Sequence, residues 1–407
     1  MKGFKGFFLF LFLTAAALYA QPELSLVTVY PGNAIYSAFG HTAFRYVDKE
    51  NNIDIIYNFG TFDFTDPEFV PKFVHGQLDY FLGVVKFKRE FKNYTLAENR
   101  SVVEQKLNLT PEEVAKVYAF LANNALPENR YYKYDFIKDN CATRIQLVLD
   151  KTLGSDILYD QAAIAKIGEK SYRNYIRYHL KKSPWFDVGI QLALGMPLDQ
   201  QVLPSGSFFL PALVHDIISG STLSDGRPLV SSTEVLYRST SDPITDPLSD
   251  PLFDSKKITP PFLLAVLLLA VELVFVYLGC IKKKLWAKKT LGFYEYTLVI
   301  LNFLFGILIF YLCFISDHTA TKENLNLLWC SPLSIIYLIT FFTKGPGQKI
   351  FKWFSAFMAA MSIVFLLVLM IGLQSSCGAF IPLLVLYIIL FGRRIIGFLD
   401  DKAAASI

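Results

Sequence analysis

The first half of the chain shows the short alternation of apolar and polar residues that is typical of β-strands. Residues 24–30, 41–47 and 53–59 alternate in this way, and the polar turn Asp48–Asn52 joins the last two into a predicted hairpin. Residues 82–91 also alternate and predict a further strand. The pattern therefore indicates a small antiparallel sheet.

Signals for helix starts follow these predicted strands. Thr110-Pro111-Glu112-Glu113 combines an N-cap, a proline at the first helical position and a capping-box glutamate, and it predicts a helix to about residue 123. Further helices are predicted over 140–153, within 160–182 and over 209–219. Strands and helices together indicate an α+β domain.

Beyond residue 258 the pattern changes to long apolar runs. A helix needs about 20 apolar residues to span a bilayer, and candidate spans lie at 262–281, 293–315, 327–342, 353–373 and 380–397. The third span is short and contains Pro332, so we expect it to be irregular. The second half is predicted to be an all-α transmembrane bundle of about five helices.

The basic residues around these spans predict their orientation. They gather in alternate loops, at 282–289, 344–352 and 393–394. Loops rich in Lys and Arg stay in the cytoplasm. We therefore expect residues 21–258 to lie outside the membrane and the C-terminus to lie in the cytoplasm.

The N-terminus carries the pattern of a secretory signal peptide. Lys2 and Lys5 precede the apolar run Phe7–Leu13, and Ala20 is a small residue at the expected cleavage point; an uncleaved anchor would export the same region. The predicted organisation is a signal peptide over 1–20, an exported domain (the exported region) over 21–240, a Ser/Asp/Pro-rich linker over 241–260 and a transmembrane helical domain (the membrane region) over 261–407.

Composition agrees with a membrane protein. Hydrophobic residues make up 53% of the chain and charged residues only 18%, against about 25% charged in soluble domains. Residues 21–258 carry 25 Lys and Arg against 29 Asp and Glu, whereas residues 259–407 carry 12 against 6. The soluble part has no basic excess, so we expect no nucleic-acid partner.

Cys141 is the one cysteine in the exported region, and it stands at the start of a predicted helix. The positive end of a helix dipole lowers the pKa of a thiol and favours the nucleophilic thiolate. An exported cysteine without a partner is a candidate reactive group. We therefore predict that Cys141 is a nucleophile; a small buried packing residue is the alternative.

A cysteine nucleophile needs a base, and the exported region offers four histidines. They are His41, His75, His179 and His215. His41 opens a predicted strand directly after Gly40, and glycine permits another backbone to approach closely. His41 is the preferred base, although spacing alone does not exclude the other three.

The order of these two residues resembles a known family. A histidine at the start of a hairpin strand, followed by a cysteine at a helix N-terminus, is the order in circularly permuted NlpC/P60 (papain-like) enzymes. The chain more closely resembles the Lnb-type lipoprotein N-acyltransferases of Bacteroidetes, which also carry a C-terminal multi-span domain. In the exported region, the motifs that carry this resemblance are Pro31-Gly32, Phe39-Gly40-His41-Thr42-Ala43-Phe44-Arg45, Tyr57-Asn58-Phe59-Gly60-Thr61-Phe62, Asp139-Asn140-Cys141-Ala142-Thr143-Arg144 and Phe209-Leu210-Pro211. In the predicted loop between the second and third spans, on the outer side of the membrane, they are His318, Asn324–Trp329 and Pro332.

The resemblance implies a permuted papain-like domain in the periplasm, held by a bundle in the bacterial inner membrane. Its activity would be transfer of an acyl chain from a phospholipid to the α-amine of a diacylated lipoprotein, by ping-pong catalysis through a Cys141 thioester. His41 would act as base and then acid, oriented by Asn58, with Asp54 as an open alternative. The backbone amide of Cys141 would serve the oxyanion. The expected substrate-binding residues are Asn140, Tyr36, Arg45 and His318.

Two other functions stay open from the sequence. A membrane-anchored NlpC/P60-like cysteine amidase or peptidase would use the same site on cell-wall peptides. A non-enzymatic binding module would use Cys141 only structurally. The histidines lack metal-ligand spacing and no glycine-rich phosphate loop is present, so we expect no cofactor.

Overall fold

The structure, a computed structural model, describes residues 21–63, 65–241, 244, 247–250, 258–343 and 346–404. The predicted signal peptide and most of the predicted linker lie outside the described residues. Within them, an α+β exported region is followed by a helical membrane region, which confirms the predicted fold class.

A seven-stranded antiparallel sheet forms the centre of the exported region, in the order β6-β4-β3-β2-β1-β5-β9. Three of the four strands predicted from alternation, β1, β2 and β3, are its central strands, and β5, β6 and β9 were not predicted. A separate two-stranded ladder joins β7 to β8. The strands are β1 (Glu23–Val29), β2 (His41–Asp48), β3 (Ile53–Thr61), β4 (Asp79–Lys86), β5 (Val102–Leu107), β6 (Tyr131–Lys133), β7 (Ile157–Leu158), β8 (Thr222–Leu223) and β9 (Val230–Tyr237).

The prediction of a strand over 82–91 is wrong in its second half. Strand β4 ends at Lys86, and a helix begins at Phe87. Phe87 and Phe91 are four residues apart, so they fit one face of a helix as well as one face of a strand. Phe87 is buried against the sheet in a cluster with Val27 and Ile56, and this packing selects the helix.

Helices cover both faces of the sheet. The capping box at Thr110 and Glu113 is present as predicted, with the hydroxyl accepting from the Glu113 amide. Helix α4 packs on β2 and β3 over the larger core, whereas α2 and the π-helical turn Asn93–Ala97 pack on the opposite face. The helices of this region are α1 (Phe69–His75), α2 (Phe87–Lys92), α3 (Pro111–Asn124), α4 (Cys141–Thr152), α5 (Gln161–Ile167), α6 (Tyr172–Leu180), α7 (Pro184–Ala193) and α8 (Pro211–Gly220).

The membrane region consists of five helical segments near the predicted spans. They are α9 (Pro260–Val276, with a π-helical extension to Ile281), α10 (Leu285–Phe314), α11 (Ile335–Thr340, preceded by short 3-10 turns), α12 (Pro346–Met370) and α13 (Phe380–Ala404). Three of them, α9 with its extension, α10 and α12, are long and apolar enough to cross a bilayer. The third predicted span is short and irregular around Pro332, as expected.

The segment between α10 and α11 joins the membrane region to the exported region. We call residues 317–326 the docking segment. The side-chain amides of Asn324 and Asn326 donate to the last carbonyl groups of α7 at 2.9–3.1 Å. Gly195 donates its backbone N–H to the Ala320 carbonyl at 3.0 Å. These bonds fix the end of α7 against the membrane bundle.

Candidate active site

Cys141 is the first residue of α4, and its neighbour Asn140 is the N-cap. The Asn140 side-chain oxygen accepts from the amides of Ala142 and Thr143 at 2.8 and 3.1 Å. The Asn140 amide nitrogen donates to the carbonyls of Phe136 and Phe209. Asn140 thereby links the loop at Phe136, helix α4 and the segment that precedes α8. These bonds hold the thiol at the N-terminal end of α4.

The thiol lies close to the strands that carry the polar site residues. Backbone amides of Thr42, Cys141 and Ala142 stabilise its thiolate form through hydrogen bonds. A methyl group at Gly60 would lie 3.7 Å from Cys141 Cβ. Thr42 follows His41 in β2, and Gly60 stands two residues after Asn58 in β3, so the structure brings the three sequence-predicted catalytic residues to one end of the sheet.

The expected lowering of the Cys141 pKa is not what the structure gives. Burial raises the pKa of this thiol to about 11, and the three backbone amides and the Arg100 charge offset only part of that rise. Desolvation of the charged form thus outweighs the helix dipole. The resting thiol is neutral at physiological pH.

His41 begins β2 because the chain turns sharply before it. Gly40 has φ +80°, and a Cβ there would lie 2.9 Å from the Val29 carbonyl oxygen, so this position favours glycine. The His41 Nε2 atom lies 3.1 Å from the Asn58 side-chain oxygen. Since an amide oxygen only accepts, Nε2 carries the hydrogen and Nδ1 is left as the basic nitrogen.

Burial also decides the protonation state of this histidine. It lowers the pKa of His41 to about 4, against a smaller opposing effect of the Asn58 hydrogen bond and a further lowering by Arg100. The imidazole is therefore neutral near pH 7. Among the described residues no hydrogen bond joins His41 to Cys141, so the resting site is a neutral thiol near a neutral base rather than an ion pair.

Tyr94 is a site residue that the sequence analysis missed. Its hydroxyl donates to the same Asn58 oxygen at 3.3 Å, and its ring centroid lies 6.3 Å from that of His41. Tyr94 is buried and belongs to the π-helical turn after α2. Such turns are frequent at functional sites, but nothing in the local sequence pattern announces this one.

Arg100 is the second missed residue. Its side chain is 3% exposed, and it donates to the carbonyls of Tyr30 and Val29 and to Glu98. Its positive charge lowers the pKa of both His41 and Cys141. A buried guanidinium group with several hydrogen-bond partners thus favours the neutral imidazole of His41 and the thiolate form of Cys141.

Two of the expected substrate-binding residues have other contacts in the described structure, Arg45 with two carboxylates and Tyr36 with Glu98, which lies 3.5 Å from its hydroxyl. The Arg45 guanidinium is bound by Asp54 at 2.8 Å and by Glu104 at 3.1 Å, and it stacks 3.7 Å from the centroid of Phe87. Tyr36 is two-thirds exposed. Asp54, the alternative residue for orienting His41, forms this salt bridge with Arg45.

The other two have structural partners. Both groups of the Asn140 amide are engaged in capping α4 and in holding the loop. His318 lies in the docking segment, where its Nε2 atom bonds the Phe73 carbonyl of α1 at 2.9 Å. His318 therefore contacts the exported region at α1, and its neighbour Thr319 donates to Asp135 in the segment before Cys141.

The remaining histidines of the exported region also have other surroundings. His75 bonds the Tyr311 hydroxyl of α10 at 2.6 Å. His215 lies 3.2 Å from Asp216, and the His179 ring packs against Phe39. None of the three bonds Asn58 within the part of the chain that the structure describes.

A cavity of about 510 Å³ opens beside this site. His41, Asn58, Gly60 and Tyr94 line one side of it. Apolar residues of the neighbouring strand β4, including Leu82 and Val85, also line it. The cavity therefore offers both polar groups and an apolar wall next to the imidazole.

These features define a class of protein. It is anchored in a membrane by a helical bundle and carries, on an α+β domain docked to that bundle, a cysteine at a helix end beside an amide-bonded histidine. Comparison with protein-family models identifies the family within this class. The family model for the Lnb N-terminal periplasmic domain matches residues 12–168, and that for the Lnb transmembrane domain matches residues 253–399.

The chain belongs to the Lnb family, as the sequence resemblance predicted. It is a membrane-anchored member of a lipoprotein-modifying family, with a periplasmic domain. Comparisons with curated proteins and with solved structures gave no match.

Proposed function

We propose that this protein is a lipoprotein N-acyltransferase. It takes an acyl chain from a phospholipid of the bacterial inner membrane and passes it to the α-amine of a diacylated lipoprotein in the periplasm, with its C-terminus in the cytoplasm. The observation that carries the proposal is the Cys141 thiol, which is surrounded by backbone amides, one of them that of Thr42, the residue after His41, whose imidazole Asn58 orients. The order of His41 and Cys141 along the chain favours a permuted papain-like domain.

The first half-reaction forms a thioester. Sγ of Cys141 attacks the carbonyl carbon of the phospholipid ester while Nδ1 of His41 takes the thiol proton. The S–C bond forms, the ester C–O bond breaks, and His41 returns the proton to the leaving lysophospholipid oxygen. The backbone amides of Cys141 and Thr42 serve the oxyanion, because the Ala142 amide is already bound by Asn140.

The second half-reaction transfers the chain. The α-amine nitrogen of the acceptor attacks the thioester carbonyl, the N–C bond forms and the C–S bond breaks. A proton of the amine passes through His41 to the sulfur, which restores the thiol.

The test is a mass spectrum of the N-terminal lipopeptide of one lipoprotein. The host is a bacterium depleted of its own N-acyltransferase, carrying the full-length chain, Cys141→Ser or the matched control Cys280→Ser, which changes an exposed cysteine of the membrane region. We expect a third acyl chain with the first and last proteins and none with Cys141→Ser. A diacylated lipopeptide with all three, at equal expression, would favour the cell-wall amidase, which a muropeptide digest then tests.

A further inference from the structure

Two charged side chains line the cavity beside His41. They are Glu90 and Arg130, and the described lining is otherwise uncharged apart from the titratable groups of His41 and Tyr94. The Arg130 guanidinium is held by the Tyr131 hydroxyl at 2.8 Å and by the ring of Phe81. Glu90, by contrast, has no structural role that the described contacts explain.

The position of Glu90 follows from its helix. Glu90 lies on α2, four residues before Tyr94, and residues four apart on a helix lie on one face. Tyr94 reaches Asn58 with its hydroxyl and faces His41 with its ring. Glu90 therefore points into the cavity from the same face as the residue that supports the His41–Asn58 pair.

Glu90 differs from other glutamates of this region. Glu98, Glu104 and Glu113 are each bound by an arginine at 2.8–3.1 Å. Half-buried Glu90 has no hydrogen bond or ion pair with any residue that the structure describes. Burial raises its pKa, with Arg89 lowering it and Glu98 raising it further. A carboxylate that loses water without gaining a partner is costly, which fits a group reserved for a cationic ligand.

We propose that Glu90 binds the primary ammonium group of the acceptor and takes one of its protons before the nitrogen attacks the thioester. This inference rests on the proposed function. An α-ammonium group has a pKa of about 8. At neutral pH most acceptor molecules are therefore protonated, and their nitrogen has no lone pair free for attack. The N–H bond breaks as the O–H bond forms on Glu90, and Glu90 then releases this proton to water through the open cavity.

The test separates the two half-reactions in the full-length protein. Glu90→Gln keeps the size of the side chain but removes its charge and basicity. Release of lysophospholipid, which measures thioester formation, should stay within about twofold of the wild type. Transfer to a synthetic diacylated lipopeptide with a free α-amine should fall about 10²-fold at pH 6.5, the lower end of the range for general-base catalysis. The loss should shrink steadily toward pH 9, where the amine is already neutral.

Glu50→Gln is the matched control, because Glu50 is exposed in the β2–β3 turn; both of its half-reactions should match the wild type. A transfer defect in Glu90→Gln that is constant with pH would overturn the inference. The inference would also be overturned if Glu90→Gln formed the thioester more slowly only with phospholipid donors that carry an ethanolamine headgroup. Glu90 would then bind the ammonium group of the donor rather than that of the acceptor. A wild-type protein that forms no thioester, or yields no amide, would instead refute the proposed function itself.

Discussion

The docking segment and the candidate active site both bury polar side chains, but they use them in opposite ways. In the docking segment, the Asn324 amide donates to two α7 carbonyls and accepts from the Asn326 backbone amide. The Asn326 amide donates to two carbonyls and accepts from the Trp329 indole. In the active site, Nδ1 of His41 and the carboxylate of Glu90 make no hydrogen bond with any residue that the structure describes.

The difference separates groups that fix geometry from groups that react. A fully bonded network has one favourable arrangement and holds its parts rigidly. A buried group left without a partner costs free energy, and such groups concentrate where a substrate will supply the partner. If this interpretation is right, substitutions in the two regions should fail in different measurements.

The largest expected effect is the loss of the base. His41→Ala removes the proton acceptor for the thiol, so lysophospholipid release should fall about 10²–10⁴-fold. The melting temperature should fall less than in the docking-segment variants, because the described structure gives His41 a single side-chain hydrogen bond. The comparison would break if His41→Ala lowered the melting temperature as much as the docking substitutions below.

The next effect comes from the contact between Gly195 and the docking segment. A methyl group at Gly195 would lie 1.7 Å from the Lys322 carbonyl oxygen, so Gly195→Ala must separate the two backbones. We expect a loss of about 1–3 kcal/mol or more in unfolding free energy, measured by thermal unfolding in detergent.

Gly189→Ala is the matched control for Gly195→Ala. It lies in α7, and no atom stands within 4 Å of the position that its new methyl group would occupy. Alanine favours a helix over glycine by about 1 kcal/mol, so this variant should melt at the same temperature or higher. Equal destabilisation by both substitutions would show that the close contact with Lys322 is not what matters.

A smaller effect is expected at Asn326. Asn326→Ala removes the bonds to the Gln191 carbonyl and from the Trp329 indole, at about 0.5–1.5 kcal/mol for each hydrogen bond lost, while the Leu192 carbonyl keeps its bond from Asn324. Thermal unfolding should show this loss, while thioester formation well below the melting temperature stays near the wild-type rate. Asn123→Ala, on the exposed face of α3, should change stability by no more than about 0.5 kcal/mol.

The smallest expected effect is that of pH on the first half-reaction. His41 loses its basic form only as pH falls through about 4, and the Cys141 thiol ionises only near 11. The rate of lysophospholipid release should therefore vary little between about pH 5 and pH 9. A bell-shaped profile with limbs at the ordinary values of about 6.5 and 8.5 would show that burial does not shift the pKa values of His41 and Cys141 in this way.

Much of the fold was predictable because local rules decide it. Alternation marked β1, β2 and β3, and the Thr110 capping box marked the start of α3. The strand predicted through Phe87 failed because two aromatic residues four apart satisfy both periods, and only packing on the sheet selects the helix.

The site was predictable where a family motif or a helix end marks a residue, as at Cys141 and His41. Tyr94, Arg100 and Glu90 carry no such mark, because they reach the site from a π-helical turn, a loop and a short helix that come together only in three dimensions. The Cys141 pKa was mispredicted for the same reason. A helix end can be read from the sequence, but the burial that outweighs it cannot.

The bonds from Asn324 and Asn326 to α7 also bear on how the chain is made. Synthesis runs from the N-terminus, so the helix ending at Ala193 leaves the ribosome more than a hundred residues before the amides that complete it. Until α10 and the following segment have been inserted, the last carbonyls of α7 lack these protein partners. The end of α7 therefore gains its final hydrogen bonds only after membrane insertion, so this contact between the two regions forms when the membrane helices are already in place.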